Sequence, residues 1–132
     1  MKGYSISVAL ADEHQLYRKA LALTLTQSPN ILVIGETGNG PAAEALYGSV
    51  KPDIMIIDIT VNSSNGFTTT ENILTAWPEA RLVLLSTFFV AALSTRIKRL
   101  GARGYLTKSM SYQDIVEAIR KIYEGESYFI DQ

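Results

Sequence analysis

Asp53-Ile54-Met55-Ile56-Ile57-Asp58 sets four large apolar residues between two carboxylates. The run does not alternate polar with apolar, so both faces of the strand it forms must be covered, as in a parallel sheet sheathed by helices. Asp58 closes a wholly apolar run, where a lone charge is costly and needs a reason. Four further β-rich runs surround this one: Ile6 to Leu10, Ile31 to Ile34, Arg81 to Leu85 and Gly104 to Leu106, with the central strand reading as Asp53 to Ile59. Between them apolar residues recur at three and four: Leu16, Ala20, Leu23; Phe67, Thr70, Leu74, Trp77; Leu93, Ile97, Leu100; Ile115, Ala118, Ile119, Ile122. These spacings predict one-sided helices. Pro41 to Val50 is a weaker, Ala-rich helix candidate.

Punctuation supports this division. Pro29 and Pro78 close helices, Gly101 and Gly125 stand at C-terminal cap positions, and Ser111 with Asp114 forms a helix-opening pair. Strand and helix alternating through five units predict an α/β fold: a five-stranded parallel sheet, doubly wound by helices on both faces. At 132 residues, 47% hydrophobic, the chain suffices for one domain with a core. A net charge of −1 provides no global attraction to nucleic acid or anionic membrane. With no cysteine and one histidine, disulfide scaffolds, thiol chemistry and His-cluster metal sites are excluded. Met1 to Ser7 lacks a secretory pattern and every apolar run is far shorter than a membrane span, so a cytoplasmic location without membrane contact is expected.

Doubly wound sheets bind ligands at the carboxyl ends of their strands, where strand order reverses. Asp12 and Glu13 follow the first strand and Asp58 ends the third, so three carboxylates converge if those strands are neighbours. Their mutual repulsion calls for a compensating cation, and oxygen ligands suit a hard ion such as Mg2+. Singly, Asp12 and Glu13 also read as helix-dipole partners and Asp58 as a solvated carboxylate. Ser86 and Thr87 follow the fourth strand, and Thr107 and Lys108 the fifth. A hydroxyl and an ammonium facing carboxylates and a cation suit an anion rich in oxygens, meaning a phosphoryl group.

Ala11-Asp12-Glu13-His14, the Asp53 to Asp58 run with Gly66 eight residues on, Leu84-Leu85-Ser86, and Gly101-Ala102-Arg103-Gly104-Tyr105-Leu106-Thr107-Lys108 resemble a response-regulator receiver domain. The Gly-Ala-Arg-Gly-Tyr-Leu-x-Lys stretch, with Gly125-Glu126 near the end, is most similar to the LuxR/NarL type. The resemblance covers about Ile6 to Phe129. It implies a flavodoxin-like receiver fold, with one receiver domain over 1–132 (core about 5–129) and a helix-turn-helix output domain in the full-length protein that this chain does not contain. It also implies that Asp58 is the phosphoacceptor, that Asp12, Glu13, Asp58 and the backbone carbonyl of Thr60 hold Mg2+, and that Lys108 contacts the phosphoryl oxygens. Ser86 would be the switch hydroxyl and Tyr105 the aromatic that reorients with it, the side-chain type of Thr60 mattering little. The implied partner is a sensor histidine kinase, with a homodimer on phosphorylation and DNA reached only through the output domain. Such a protein is no ordinary enzyme: it phosphorylates itself from a phosphohistidine donor and slowly loses the group.

Several positions depart from the family pattern or stand outside it. Val61-Asn62-Ser63-Ser64-Asn65 replaces the common Met-Pro, Ser109 follows Lys108 in place of Pro, and Gln15 replaces a Pro. Phe88 and Phe89 are expected to pack down as an apolar cluster opening a helix, the alternative being an exposed patch. Residues 80–113 hold Arg81, Arg96, Lys98, Arg99, Arg103 and Lys108 and no acid, which reads first as a solvated helix face and second as a contact surface. His14 reads as a helix-opening residue, and Gly35 to Gly40 as a flexible surface turn. Two other functions compete: a receiver-like interaction module that is not phosphorylated, and a flavin carrier on the same fold.

Overall fold

The computed structural model describes residues 5–61 and 66–130. The elements run β1 (Ile6–Ala11), α1 (Gln15–Thr26), β2 (Ile31–Thr37), α2 (Gly40–Val50), β3 (Ile54–Asp58), α3 (Gly66–Ala76), β4 (Leu82–Ser86), α4 (Ala91–Leu100), β5 (Gly104–Thr107), α5 (Tyr112–Tyr123) and β6 (Tyr128–Phe129). All strands pair in parallel, in the order β2-β1-β3-β4-β5-β6. This is the expected doubly wound receiver fold, with one short extra strand. Asn62 to Asn65, most of the loop that departs from the family pattern, and Met1 to Tyr4 lie outside the described residues.

The period of two along each strand sorts the core into two layers. Ile54 and Ile56 join Val8, Leu10, Val83 and Leu85 beneath Leu21 and Leu25 of α1 and Ile115, Ile119 and Ile122 of α5. Met55 and Ile57 join Ala9, Leu82, Leu84 and Tyr105 against Tyr47 of α2, Ile73 of α3 and Ile97 of α4. The unbroken apolar run of β3 is thus explained by cover on both faces.

Caps fall where the chemistry places them. Ser111 accepts from Asp114 N–H at 3.1 Å to start α5, and Gly101 ends α4 in the left-handed region at φ 97°. Two expectations are corrected. Gly35 to Gly40 is no free turn: β2 continues through Thr37, Asn39 caps α2 by accepting from Ala42 N–H at 2.8 Å, and Gly40 opens that helix. β6 adds a sixth strand to the five expected, because two residues provide no period to detect. Ladder bonds hold it: Tyr128 N–H donates to Arg103 O at 2.9 Å and Ile130 N–H to Tyr105 O at 3.1 Å.

Register fixes the site. Ala11 pairs with Ile57, so the residues that follow, Asp12 and Asp58, emerge side by side. Ser86 pairs with Thr107, and Lys108 N–H donates to Ser86 O at 2.8 Å, holding the lysine at the same edge.

Candidate functional site

Two carboxylates and one ammonium occupy the carboxyl edge of the sheet. Asp12 is 4% exposed and Asp58 1% exposed. Lys108 Nζ lies 2.9 Å from Asp12 Oδ2 and 2.6 Å from Asp58 Oδ2. Neither Oδ2 atom has a partner at a good hydrogen-bonding angle, although both are sealed from solvent, so the lysine serves them as a point charge. The opposite oxygens are tied down. Asp58 Oδ1 accepts from both the amide and the hydroxyl of Thr60 at 2.8 Å, and Asp12 Oδ1 accepts from His14 N–H at 2.8 Å.

Burial and charge act on the two acids differently. Burial pushes the Asp58 carboxyl up, but Lys108 and the two Thr60 donors outweigh it and hold the group below its ordinary 3.8. Burial also pushes Asp12 up; Lys108 and the His14 amide oppose it, the charge of Asp58 adds to it, and the net direction is upward. The lysine alone cannot neutralise two buried carboxylates, and the free oxygens of both acids point to the same place. That arrangement fits a divalent cation, with Asp12 and Asp58 as its oxygen donors.

Around this centre the chain braces its own parts. Arg18 donates to Asp12 O at 2.6 Å and to Glu36 Oε1 at 3.0 Å, fixing the turn between β1 and α1 against β2. Tyr17 lies under Lys108, whose Nζ is 4.7 Å from the ring centroid. Gly66 packs on the acceptor strand so tightly that a Cβ there would fall 2.6 Å from Asp58 O and from Ile59 Cα. A shallow depression of about 390 Å3, lined by His14, Leu16, Tyr17, Thr87 and Lys108, opens the site to solvent.

Ser86 and Tyr105 meet each other. Ser86 Oγ donates to Phe88 O at 2.7 Å and lies 3.0 Å from the Tyr105 hydroxyl, which accepts from Val90 N–H at 3.0 Å. Tyr105 is fully buried, with Phe89 stacked over it at 5.9 Å between centroids. The Ser86 hydroxyl is thus occupied within the β4–α4 turn.

Several residues depart from the sequence reading. Glu13 is exposed and stands outside the Asp12, His14 and Asp58 cluster. His14 opens α1 as expected, but its side chain makes no cap; its Nδ1 turns inward, 3.2 Å from Asp12 Oδ1, 3.4 Å from Asp58 Oδ2 and 2.9 Å from Lys108 Nζ. The Thr60 side chain matters, since its hydroxyl is a donor to Asp58. Phe88 does not pack down: it is 76% exposed, because the turn directs its carbonyl to Ser86 and its ring outward. The basic residues of 80–113 are dispersed. Arg96 stacks 3.9 Å over Phe67, Lys98 lies 4.9 Å over Phe129, and Lys108 belongs to the site. The signal for His14 is its place two residues after Asp12, in the turn that follows β1.

Comparison with known proteins agrees with this fold. Residues 8–120 match the family model for the response regulator receiver domain. The transcriptional regulatory protein YxjL of Bacillus subtilis is 32% identical over 98% of this chain and 59% of its own length. The response regulator protein VraR of Staphylococcus epidermidis is 31% identical over 95% of this chain and 60% of its own. A crystal structure of a LuxR-family two-component response regulator from an Aurantimonas species superposes with a TM-score of 0.89 at 27% identity, covering 94% of this chain and 89% of that one. The chain spans between half and two thirds of the length of the curated relatives it matches. No helix among the described residues is long and apolar enough to cross a membrane.

Proposed function

This chain belongs to the response regulator receiver domain family, in its LuxR/NarL branch, and we propose that it is a phosphorylation switch whose acceptor is Asp58. The observation that carries the reading is the state of Asp58: a buried carboxylate held ionised, with one oxygen clamped by Thr60 and the other aimed at Lys108 and the free oxygen of Asp12. A carboxylate kept charged is a nucleophile, and its clamped oxygen fixes the direction of attack.

In the proposed reaction the free oxygen of Asp58 forms a bond to phosphorus while the P–N bond to a kinase phosphohistidine breaks, its electron pair leaving with the imidazole. Lys108 stabilises the charge on the transferring oxygens, and positioning does most of the catalysis. Mg2+, held by Asp12, Asp58 and the Thr60 carbonyl with Glu13 as an outer acid, would neutralise the phosphoryl charge. The new oxygens on Asp58 then compete with Phe88 O and Tyr105 for the Ser86 hydroxyl. Drawing Ser86 inward would release its contacts to Phe88 O and Tyr105 and shift the population of the β4–α4 turn.

The partners of this reading are a sensor histidine kinase and, once phosphorylated, a second copy of the chain. Several curated relatives are transcriptional regulators of which this chain spans little more than half, which supports a cytoplasmic protein with a DNA-binding output, of helix-turn-helix type, beyond the receiver. Incubation with acetyl phosphate and Mg2+ should add one phosphoryl group, stable in acid and labile in base, detected by intact mass. Persistence of that group in Asp58→Asn would overturn the assignment. Its absence in the unsubstituted protein would favour an interaction module that works without phosphorylation.

A further inference from the structure

Resting on the cation site of that reading, we propose that His14 is a third protein ligand, and that its ring nitrogen tunes the site toward divalent transition ions relative to Mg2+. Three donor atoms converge from two strand ends and the turn after β1: a carboxylate oxygen from each of Asp12 and Asp58, and Nδ1 of His14, all within 4.8 Å of one another. The separations from Nδ1 are 3.2 Å to Asp12 Oδ1, which also accepts from the His14 amide, and 3.4 Å to Asp58 Oδ2. Donors sharing an ion at about 2.1 Å stand about 3.0 Å apart on an octahedral edge and about 3.4 Å apart on a tetrahedral one. Both observed spacings are of that size.

The contact with Lys108 provides an independent sign. Lys108 Nζ stands 2.9 Å from Nδ1; an ammonium only donates, so the tautomer that accepts this bond has a bare Nδ1 with its lone pair turned into the site. A bare Nδ1 cannot donate to Asp12 Oδ1. The 3.2 Å contact then sets two acceptors against each other, as ligands sit around a shared ion. The buried Oδ2 atoms of Asp12 and Asp58, each without a well-angled donor, leave both acids with an oxygen available to a cation. Oxygen donors alone favour Mg2+ and Ca2+, whereas imidazole favours Ni2+ and Zn2+, so one nitrogen changes the ratio of affinities more than either affinity alone.

Ni2+ and Mg2+ are close in size and both accept octahedral sites, which makes their ratio the quantity to measure. Titration calorimetry with each ion is to be run on the unsubstituted chain, on His14→Ala and on Asp12→Asn, and pulsed electron paramagnetic resonance on each protein loaded with Mn2+. His14 is half exposed, and circular dichroism verifies that the variants fold. The expected result is imidazole nitrogen modulation in the Mn2+ spectrum that disappears in His14→Ala, with Ni2+ affinity falling roughly tenfold and Mg2+ affinity changing less than about twofold. Binding that Asp12→Asn weakens but that shows no imidazole nitrogen and no change of ratio in His14→Ala would overturn the role of His14 and leave the cation site standing. Binding indifferent to Asp12→Asn would overturn the cation site itself, and the proposal with it.

Discussion

Asp53 and Asp58 stand at the two ends of β3, separated by four apolar residues, and their surroundings differ in kind. At the amino end, Ser7 N–H donates to Asp53 Oδ2 at 2.9 Å while Asp53 N–H donates to Ser7 Oγ at 2.8 Å. This reciprocal pair joins the start of β3 to β1 and asks for nothing further. At the carboxyl end, Asp58 shares one ammonium with Asp12, and each acid keeps a sealed oxygen without a well-angled donor. The same residue type therefore serves register at one end and remains chemically available at the other. What separates the roles is whether the polar bonds close.

If that contrast is right, removing the shared cation produces the largest effect. Lys108→Met leaves two buried carboxylates facing each other and should cost about 3 kcal/mol at pH 7, read from urea unfolding. The sign with pH follows from Asp58, whose pKa Lys108 lowers: the contribution is present above the ordinary 3.8 and is lost as pH falls through the depressed folded value. Variant and unsubstituted protein should therefore converge in strong acid, and a pH-independent difference would contradict the electrostatic account.

Gly66→Ala tests the backing of the same end. Its Cβ meets backbone atoms at 2.6 Å, which cannot swing aside, so a loss of about 2 kcal/mol is expected, together with slower phosphoryl uptake as Asp58 is displaced. Asp12→Asn should act in the opposite direction. Burial and the charge of Asp58 raise the Asp12 pKa, so the unsubstituted fold loses stability as pH rises from 3.8 through that raised value. The variant escapes this loss, with a gain of about 1 kcal/mol at pH 7 that fades below pH 3.8 in paired melts. At the closed end, Ser7→Ala should cost only about 0.5 to 1 kcal/mol and leave phosphoryl uptake unchanged. An uptake defect in that variant would erase the distinction between the two ends.

Much of the fold was legible because its signals are local. The apolar run of β3, the helical spacing of Ile115, Ala118, Ile119 and Ile122, and the Ser111 and Gly101 caps each state their structure within a few residues. β2 runs three residues past its apolar stretch, because Gly35, Glu36 and Thr37 look like a turn by composition and only pairing with Ala9, Leu10 and Ala11 makes them strand. At the site, Asp12, Asp58, Ser86 and Lys108 were placed on one edge by strand order alone. The inward turn of His14, the second bond from Thr60 and the outward ring of Phe88 depend on side-chain directions across different elements, and no periodicity in one segment encodes those. Glu13 looked equivalent to Asp12 because the two are adjacent, yet a helix beginning at Gln15 directs neighbouring side chains to different sides.

The short β6 has a mechanical side. Because Ile130 N–H is bonded to the carbonyl of Tyr105, the departing backbone is fastened to the strand residue whose hydroxyl contacts Ser86. A rotation of the Tyr105 ring leaves that fastening intact, whereas a displacement of its main chain pulls directly on the exit. Whatever follows the sheet thus takes its bearing from backbone movement in β5, as an arm takes its bearing from the pivot to which it is pinned.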